Sequence, residues 1–276
     1  MKPKYAITIV VCITTLLLGA CKAASPTATP TPLPPTPTTE PSPTPKPAET
    51  VTIYYEEAAQ FELISSSGRR VLIDIEYTIY LSSPETEKDI LLTTHNHDDH
   101  YLKSYVDAFP GQKLTFEVGE IQLPDVTIQG IASAHNANNE MKPKGGTNYI
   151  YIIDMAGLRI VHFGDIGQDT LTEEQLTALG HVDVALMQID NSFSNMNITN
   201  KKGFKLMDQV KPTLIIPTHQ SLSTAEEATK VWVGTAAKQT SITISKDQLP
   251  SQTTVVFMGM LASSYQKIYN LPWFGE

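Results

Sequence analysis

The segment THNHDDH, Thr94 to His100, concentrates histidine and aspartate directly after the strand-like DILLT. If the chain stays extended, His95 and His97 point to the same side, because side chains two apart share a face. If it then turns into a helix, Asp99 and His100 swing toward a second point nearby. Imidazole and carboxylate groups bind zinc and similar cations. One short loop can therefore supply ligands to two metal ions. The alternative, a histidine-rich surface tract, is disfavoured because the loop follows a strand with the apolar sequence of a buried one.

Three later apolar runs also end in a residue that can bind a cation. They supply His135 in IASAHN, Asp165 in VHFGDIG and His219 in IIPTHQ. Each alone is weak evidence, since a single histidine after a strand is more often a structural residue and a Gly-Asp pair is usually a turn. Their recurrence favours one shared site, because α/β enzymes assemble their sites at strand ends.

Composition limits the choice of metal and of partner. The two cysteines, Cys12 and Cys21, both fall within the first 21 residues. A metal in the folded part must therefore be held by histidine and carboxylate, and such ligands admit two divalent ions of Zn, Mn or Fe. The formal net charge is −9, and loss of Lys2 and Lys4 would take it to −11. An acidic chain without a basic stripe disfavours nucleic acid as a partner.

The segments that must position these residues are mostly strands. Apolar, β-branched runs predict ten of them, and the SSSG at Ser65 to Gly68 predicts a hairpin between two. Helical patterns are fewer and lie in the second half of the chain: Thr172 to Leu179, Lys201 to Val210 and Thr224 to Thr235. The predicted strands are VTIYYEE, QFELIS, RRVLIDIEY, DILLTT, VTIQGIASA, NYIYIID, LRIVHFG, VDVALMQI, PTLIIPT and TTVVFMG.

The first 50 residues have a different character. Residues 1–20 carry two lysines and a short apolar run, and Leu18 to Cys21 resembles the lipobox of bacterial lipoproteins, which implies a signal peptide and a lipidated Cys21. An ordinary secretory signal or an uncleaved anchor helix is the alternative. Residues 21–50 are rich in Pro and Thr and predict an extended tether. Residues 51–276 then form one domain, held outside the cytoplasmic membrane in the bacterial cell envelope and touching the membrane only through Cys21.

The ordered set HxHxDH, then His, Asp and His, resembles the metallo-β-lactamase superfamily over residues 51–276. NYIYIIDMAGLRIVHFGDIG and VKPTLIIPTH look more particularly like its compact metal-dependent hydrolase branch, related to L-ascorbate-6-phosphate lactonase. The resemblance implies an α/β fold, a four-layer αββα sandwich in a single domain. It also implies one metal on His95, His97 and His135, and a second on Asp99, His100 and His219. Asp165 would bridge the two metals, and Asp99 would orient the hydroxide and pass a proton to the leaving group.

Several neighbouring residues are candidates for supporting roles. Asp74 can accept a hydrogen bond from a ligand imidazole or cap a turn, and His162 is either a partner of the site or a satisfied core histidine. Residues 136–148, with Lys142 and Lys144, predict a loop over the site whose lysines are solvated or meet an anionic group. Residues 191–200 are a second polar rim. Asp98 and His181 are expected to be solvated.

These observations predict a metal-dependent hydrolase in which two metal ions lower the pKa of a bridging water, so that hydroxide attacks a small ester, lactone or phosphoester. One alternative is a phospholipase D-like phosphodiesterase, although the sequence has no apolar helix suited to a membrane surface. Another is a metal-binding or sensing lipoprotein without turnover. The oligomeric state stays open.

Overall fold

The computed structural model describes residues 48–55, 57–135 and 147–275. These residues form fourteen strands and five α-helices, and none of these helices is long and apolar enough to cross a membrane. The predicted signal peptide, Cys21 and nearly all of the tether lie outside the described residues. The strands are β1 (Val51–Tyr55), β2 (Phe61–Ser65), β3 (Arg70–Ile73), β4 (Ile90–Thr93), β5 (Gln112–Thr115), β6 (Gly119–Leu123), β7 (Val126–Ala134), β8 (Thr147–Met155), β9 (Leu158–His162), β10 (Val184–Gln188), β11 (Leu214–Thr218), β12 (Val233–Ala236), β13 (Ser241–Ile244) and β14 (Thr254–Phe257). The helices are α1 (Lys103–Ala108), α2 (Glu173–Leu179), α3 (Lys202–Val210), α4 (Leu222–Val231) and α5 (Ala262–Tyr269).

The first sheet has the order β13-β1-β2-β3-β4-β5. Strands β1, β2 and β3 form an antiparallel meander, and β3, β4 and β5 run parallel. The predicted hairpin is confirmed: β2 and β3 are joined by a turn in which Gly68 has a φ of 85° and donates its N–H to the Ser65 carbonyl. Glycine suits this turn because it adopts a positive φ without steric cost.

The second sheet has the order β12-β14-β11-β10-β9-β8-β7-β6. Strands β9, β10, β11, β14 and β12 are parallel, and β6, β7 and β8 continue the sheet in antiparallel pairs. Because β8 is antiparallel to both of its neighbours, β7 points the same way as β9. The carboxyl ends of β7, β9 and β11 therefore lie at one edge of this sheet.

The two sheets pack face to face, with helices on both outer faces. Alternation along the strands explains this arrangement, because successive side chains point to opposite faces. In β3, Val71 and Ile73 enter the core between the sheets, whereas Leu72 packs on the outer face with Val106 of α1. The outer face of the second sheet is covered by apolar residues of the other four helices. The predicted αββα sandwich is confirmed.

Tyr151 ties the two sheets together next to the histidine-rich loop. This fully buried residue of β8 donates its hydroxyl to the carbonyl oxygen of Thr93 at 2.9 Å and lies 3.2 Å from that of Leu114. A neighbouring backbone bond joins the Tyr149 N–H to the Thr94 carbonyl at 3.0 Å. The end of β4 in one sheet is thereby fixed relative to β8 in the other.

All ten predicted strands are present, and four short ones were not predicted: β5, β6, β12 and β13. Helices α1 and α5 were also missed. The prediction of a helix from Thr224 to Thr235 is wrong at both ends. Ser221 caps α4, with its hydroxyl accepting from the Thr224 N–H, and the helix ends at Val231. The following β-branched Val233 begins β12, which pairs with β14, so sheet pairing overrides continued helix.

Candidate metal centre

The candidate site lies where five strands end at one edge of the sandwich. Asp74 follows β3 and the histidine-rich loop follows β4, while His135, Asp165 and His219 follow β7, β9 and β11. The direction of these strands brings residues that are far apart in sequence to one place. In the loop itself, the N–H groups of His100 and Tyr101 both donate to the His97 carbonyl, at 2.9 and 2.8 Å. This tight turn separates the first two histidines from the third.

The seven predicted ligands fall into two groups. Within each group, one nitrogen or oxygen atom of every member lies within 4.8 Å of those of the others. Seen along the chain, each group takes residues from the histidine-rich loop and from the ends of other strands. The first group is His95, His97, His135 and Asp165, and the second is Asp99, His100 and His219.

Asp165 lies between the two groups. Its Oδ2 atom is 3.8 Å from His95 Nε2 and 3.7 Å from His135 Nε2. Its Oδ1 atom is 3.4 Å from His100 Nε2 and 3.1 Å from His219 Nε2. Each carboxylate oxygen thus faces a different group, which is the disposition that a carboxylate shared between two cations requires.

These distances fit ligands around metal ions. Zinc–nitrogen bonds of 2.0–2.1 Å in a tetrahedral site place the ligand atoms roughly 3.4 Å apart, and the four separations from Asp165 lie close to that value. Buried polar atoms normally have a hydrogen-bond partner. Here Asp165 Oδ1 and the Nε2 atoms of His100, His135 and His219 are buried without one. Cations bound in the two groups would satisfy all four.

The electrostatics of the two groups differ. Burial, together with the charge of His100, holds the pKa of His95 well below its ordinary value, and burial with the charge of His135 lowers the pKa of His97. Both imidazoles are therefore neutral near pH 7, the form that donates a lone pair to a metal. Burial alone would lower the pKa of His100, but Asp74 and Asp165 raise it to about 10.

Asp165 itself stays ionised. Burial would raise its pKa, but the imidazoles of His100, His135 and His219 outweigh that effect and lower the pKa well below its usual range. A carboxylate that remains negative in a buried position attracts positive charge, and a divalent cation can supply that charge.

Asp74 positions one histidine of each group through hydrogen bonds, directly for His100 and through Thr94 for His95. Its Oδ2 atom accepts from His100 Nδ1 at 2.8 Å and from the Thr94 hydroxyl at 2.7 Å, and Thr94 Oγ1 is in turn 3.0 Å from His95 Nδ1. His162 Nε2 is also bonded to Asp74 Oδ2, at 3.0 Å. These bonds hold His100 and His95 with Nε2 directed at the centre, because the other ring nitrogen is occupied. The hydrogen bond predicted between Asp74 and a ligand imidazole is confirmed.

The hydrogen-bond partners of Asp74 keep its carboxylate ionised. This carboxylate is fully buried, which would raise its pKa, but the charge of His100 and the hydrogen bonds of His100 and His162 hold the pKa well below its ordinary value. His162 is likewise fully buried. It is therefore both a core histidine and a partner of the site, since it shares the Asp74 carboxylate with His100.

Asparagines fix the Asp165 carboxylate and backbone. Asn191 Nδ2 donates to Asp165 Oδ2 at 2.7 Å, and Asn148 Oδ1 accepts from the Asp165 N–H at 2.9 Å. Asn148 Nδ2 also donates to the Phe163 carbonyl at 2.7 Å, so Asn148 spans the turn before Asp165. Within that turn Gly164 has a φ of 54°, and a Cβ atom there would lie 2.3 Å from Asn148 Oδ1. Only glycine fits this close approach.

The structure separates the other predicted residues. Asp98 belongs to neither group, and the His181 side chain is exposed, 3.1 Å from Asp183. Residues 136–146, which include Lys142 and Lys144, lie outside the described residues. In the predicted rim at residues 191–200, Phe193 is 79% exposed, and its ring centroid is 6.4 Å from that of His97.

The supporting roles of Asn148, Asn191 and Lys202 were missed by sequence reasoning. Asn191 follows β10, so the strand-end rule that found the histidines also applied to it. Asn148 is a polar residue at the start of an otherwise apolar strand, which is a weaker signal. The Lys202 amine is buried, donates to the Gly167 carbonyl at 2.8 Å and lies 3.3 Å from the Ser194 carbonyl. Nothing in the local sequence indicates that this lysine is buried.

A small pocket opens beside the second group, with a volume of about 220 Å³ and His219 in its wall. Two larger cavities, of about 970 and 870 Å³, contain no member of either group among their described lining residues. The 970 Å³ cavity includes the turns Ser65–Ser67 and Ala156–Gly157, at the opposite ends of the strands. The small pocket therefore adjoins the candidate centre, with His219 in its wall.

An αββα sandwich with histidine and aspartate ligands gathered at one edge defines the class of metal-dependent hydrolases with a metallo-β-lactamase fold. Comparison with known proteins places the chain in the same class. Residues 52–219 match the family model of the beta-lactamase superfamily domain. This chain therefore belongs to the beta-lactamase superfamily.

Relatives and solved structures agree with this assignment. A UPF0173 metal-dependent hydrolase from Thermococcus onnurineus is 26% identical over 186 residues, which cover 58% of this chain and 80% of that protein. A UPF0173 metal-dependent hydrolase from Thermoplasma acidophilum is 26% identical over 202 residues, which cover 62% of this chain and 84% of that protein. A crystal structure from Thermotoga maritima, described as a Zn-dependent hydrolase of the metallo-beta-lactamase superfamily, superposes with a TM-score of 0.56 at 19% identity, covering 76% of this chain and 100% of that one. At that identity it supports the fold alone.

Proposed function

We propose that this protein is a two-metal hydrolase that acts on a small ester, lactone or phosphoester. The observation that carries the proposal is the position of Asp165, which presents one carboxylate oxygen to each group of ligands. His95, His97, His135 and Asp165 would hold one ion, and Asp99, His100 and His219 would hold the second with Asp165 shared. Zinc is the preferred metal, with Mn and Fe as alternatives, because all the ligands are nitrogen and oxygen.

Two bound divalent ions supply a water of lowered pKa and polarise a carbonyl or phosphoryl oxygen. The protein's own residues supply position and proton control. Asp74 and Thr94 occupy Nδ1 of His100 and of His95, so that each ring directs Nε2 at the candidate centre. Asn191 fixes Asp165.

Asp99 is the residue best placed to move a proton. Its side chain is 42% exposed, and its Oδ2 atom is 3.8 Å from His100 Nε2, so the carboxylate reaches both the centre and the solvent side from which a substrate enters. We assign Asp99 the role of orienting the nucleophile and delivering a proton to the leaving group. A general acid–base of this kind contributes about 10²–10⁴-fold in rate.

The test measures metal content and turnover together. Purified protein is loaded with Zn, Mn or Fe, its metal content is measured, and hydrolysis is followed for a generic ester, a lactone and a phosphodiester. We expect two ions per chain and metal-dependent turnover that falls at least 100-fold in Asp99→Asn. Asp98→Asn is the matched control, since it changes the adjacent carboxylate, which belongs to neither group.

The panel also separates the alternatives. The lactone arm is included because the sequence resembles the branch related to L-ascorbate-6-phosphate lactonase. Turnover restricted to phosphodiesters of lipid type would favour a phospholipase D-like enzyme. Two bound ions with no turnover of any substrate would contradict the hydrolase proposal and favour a metal-binding or sensing lipoprotein.

We further propose that the protein acts outside the cytoplasmic membrane, anchored through a lipidated Cys21 and a tether over residues 21–50. The support is the lipobox-like sequence before Cys21 and the Pro/Thr-rich composition after it. Metabolic labelling with a radioactive fatty acid tests this. The wild-type chain should be labelled and sediment with membranes, and Cys21→Ser should lose the label. A labelled Cys21→Ser chain, or an unlabelled wild-type chain, would refute the anchor.

A further inference from the structure

The pocket beside His219 is built from three chain segments that meet at the same edge as the metal ligands. Tyr55 ends β1, and Glu57 and Ala58 follow it. His219 and Gln220 follow β11, and Met258, Met260 and Leu261 follow β14. The His219 N–H donates to the Ala58 carbonyl at 3.0 Å, which joins two of these segments. The pocket is therefore part of the framework that places a ligand of the second group.

The walls of this pocket are mainly apolar and partly open, and Gln220 adds a polar amide to them. Met258 is buried, whereas Met260 and Leu261 are 60% and 47% exposed. Tyr55 contributes an aromatic face, and its hydroxyl is already bonded to the Ala58 carbonyl at 3.0 Å. Flexible methionine side chains adapt their shape to different apolar groups. Such exposed apolar surface beside a reactive centre favours contact with an apolar part of a substrate.

Charge restricts the occupant further. Among the described lining residues, Glu57 is the single acidic or basic side chain apart from His219. No lysine or arginine among these lining residues would balance a negative group. A volume of about 220 Å³ corresponds to roughly seven water-sized groups. The pocket thus suits a short, uncharged chain and opposes an anionic one.

We infer that this pocket binds the apolar, uncharged acyl limb of the substrate, so that the preferred substrates are neutral carboxylic esters or lactones with a short alkyl chain. This inference rests on the proposed hydrolase function and narrows its substrate class. His219 forms one wall of the pocket and also belongs to the second group of ligands. A substrate whose carbonyl lies at the metal centre can therefore extend its acyl chain past the His219 ring.

The first experiment measures kcat/KM on 4-nitrophenyl esters of increasing acyl length, from acetate to butanoate, hexanoate and decanoate. Two additional buried methylenes should raise kcat/KM about fifteenfold between acetate and butanoate. Decanoate should bring no further rise, because the pocket is too small. Leu261→Trp, which fills the pocket, should abolish the rise of kcat/KM with acyl length.

A matched control and a charge test accompany this series. Val231→Trp adds the same side chain at an exposed apolar position at the far end of α4, and it should leave the length dependence unchanged. The monoester of glutaric acid, which ends in a carboxylate, should react at least tenfold more slowly than the pentanoate ester. Glu57→Gln should raise kcat/KM for the glutaric acid monoester about threefold.

The second experiment does not depend on turnover. Methyl-¹³C-methionine labelling gives a resonance for each methionine, and hexanamide serves as an uncleaved probe of the acyl limb. The methyl signals of Met258 and Met260 should shift in a saturable manner. Those of Met155, which lines the 970 Å³ cavity at the opposite ends of the strands, and of Met187, on the outer face of the second sheet, should not shift.

The two experiments separate failure of this inference from failure of the hydrolase proposal. Ester turnover with a flat length dependence and no shift at Met258 or Met260 would overturn the acyl pocket while leaving the hydrolase intact. Saturable shifts without turnover of any ester would support the pocket and contradict the hydrolase. Absence of both would refute both proposals.

Discussion

The most informative single substitution is Asp74→Asn, because this residue belongs to neither ligand group but bonds directly to His100 of the second and, through Thr94, to His95 of the first. Asp74 Oδ2 accepts hydrogen bonds from the Thr94 hydroxyl, His100 Nδ1 and His162 Nε2, and Oδ1 accepts from the Thr94 N–H at 2.7 Å. An amide has one acceptor oxygen and one donor NH₂ group. In either orientation of the substituted side chain, its NH₂ group would face donors.

The magnitude follows from the proton on His100. If the new NH₂ group replaces Oδ2, the His100 ring accommodates it by accepting at Nδ1, which moves its own proton to Nε2, the atom directed at the centre. A metal must then displace that proton. If the NH₂ group replaces Oδ1, it faces the backbone N–H of Thr94. That donor then has no acceptor, which lowers the free energy of unfolding by about 1–3 kcal/mol. Loss of such a partner typically lowers metal affinity about 10–100-fold, which corresponds to about 1.4–2.7 kcal/mol per ion.

The assay is competition with a chromogenic chelator, followed by measurement of metal per chain after dialysis. Thr94→Val is the comparison, since it removes the hydroxyl that relays Asp74 to His95 but leaves the 2.8 Å contact between Asp74 and His100. We expect Asp74→Asn to weaken both sites and Thr94→Val to weaken one. Wild-type affinity for two ions in Asp74→Asn, with the fold intact by circular dichroism, would refute the reasoning.

Four further predictions concern metal and stability. Removal of metal by EDTA should abolish turnover and lower Tm, because binding at 100-fold over Kd stabilises the folded state by about 2.7 kcal/mol per site; an unchanged Tm would argue against bound metal. Asn191→Leu should lower metal affinity about 10–100-fold by freeing Asp165 Oδ2, and chelator competition checks it. Gly164→Ala should lower the free energy of unfolding in urea by about 3 kcal/mol, because the position has a left-handed φ and the added Cβ would clash. Gly157→Ala, with open space around it, should lower it by about 1 kcal/mol. Equal losses would contradict the close-approach argument. Tyr151→Phe should cost about 1 kcal/mol through the lost bond to Thr93, measured by the same unfolding.

Much of the fold followed from local pattern. Apolar β-branched runs located every long strand, because a strand buried on both faces is uniformly apolar over its length. Short strands such as β5, QKLT, were missed because two of their four residues are exposed lysine and glutamine, and their pairing with a neighbour makes them strands. Helix α4 was misplaced because strand pairing of Val233, a long-range contact, ended it.

The sequence by itself identified the candidate metal ligands. A tight cluster of histidine and aspartate, and three single candidates each placed after an apolar strand, are visible without coordinates. Those positions can be recognised locally, because a buried apolar strand ends where the chain reaches the surface, and the candidate polar residue follows directly in the loop.

Tertiary structure decided what those residues can do together. The separation of His95 and His100 into two groups, and the presentation of one Asp165 oxygen to each, depend on how two sheets pack and on the direction of β7, β9 and β11. The role of Asn148 depends equally on the positive φ of Gly164. These are distances between atoms up to 124 positions apart in the chain, and no local preference specifies them, because they are set by the packing of the whole core.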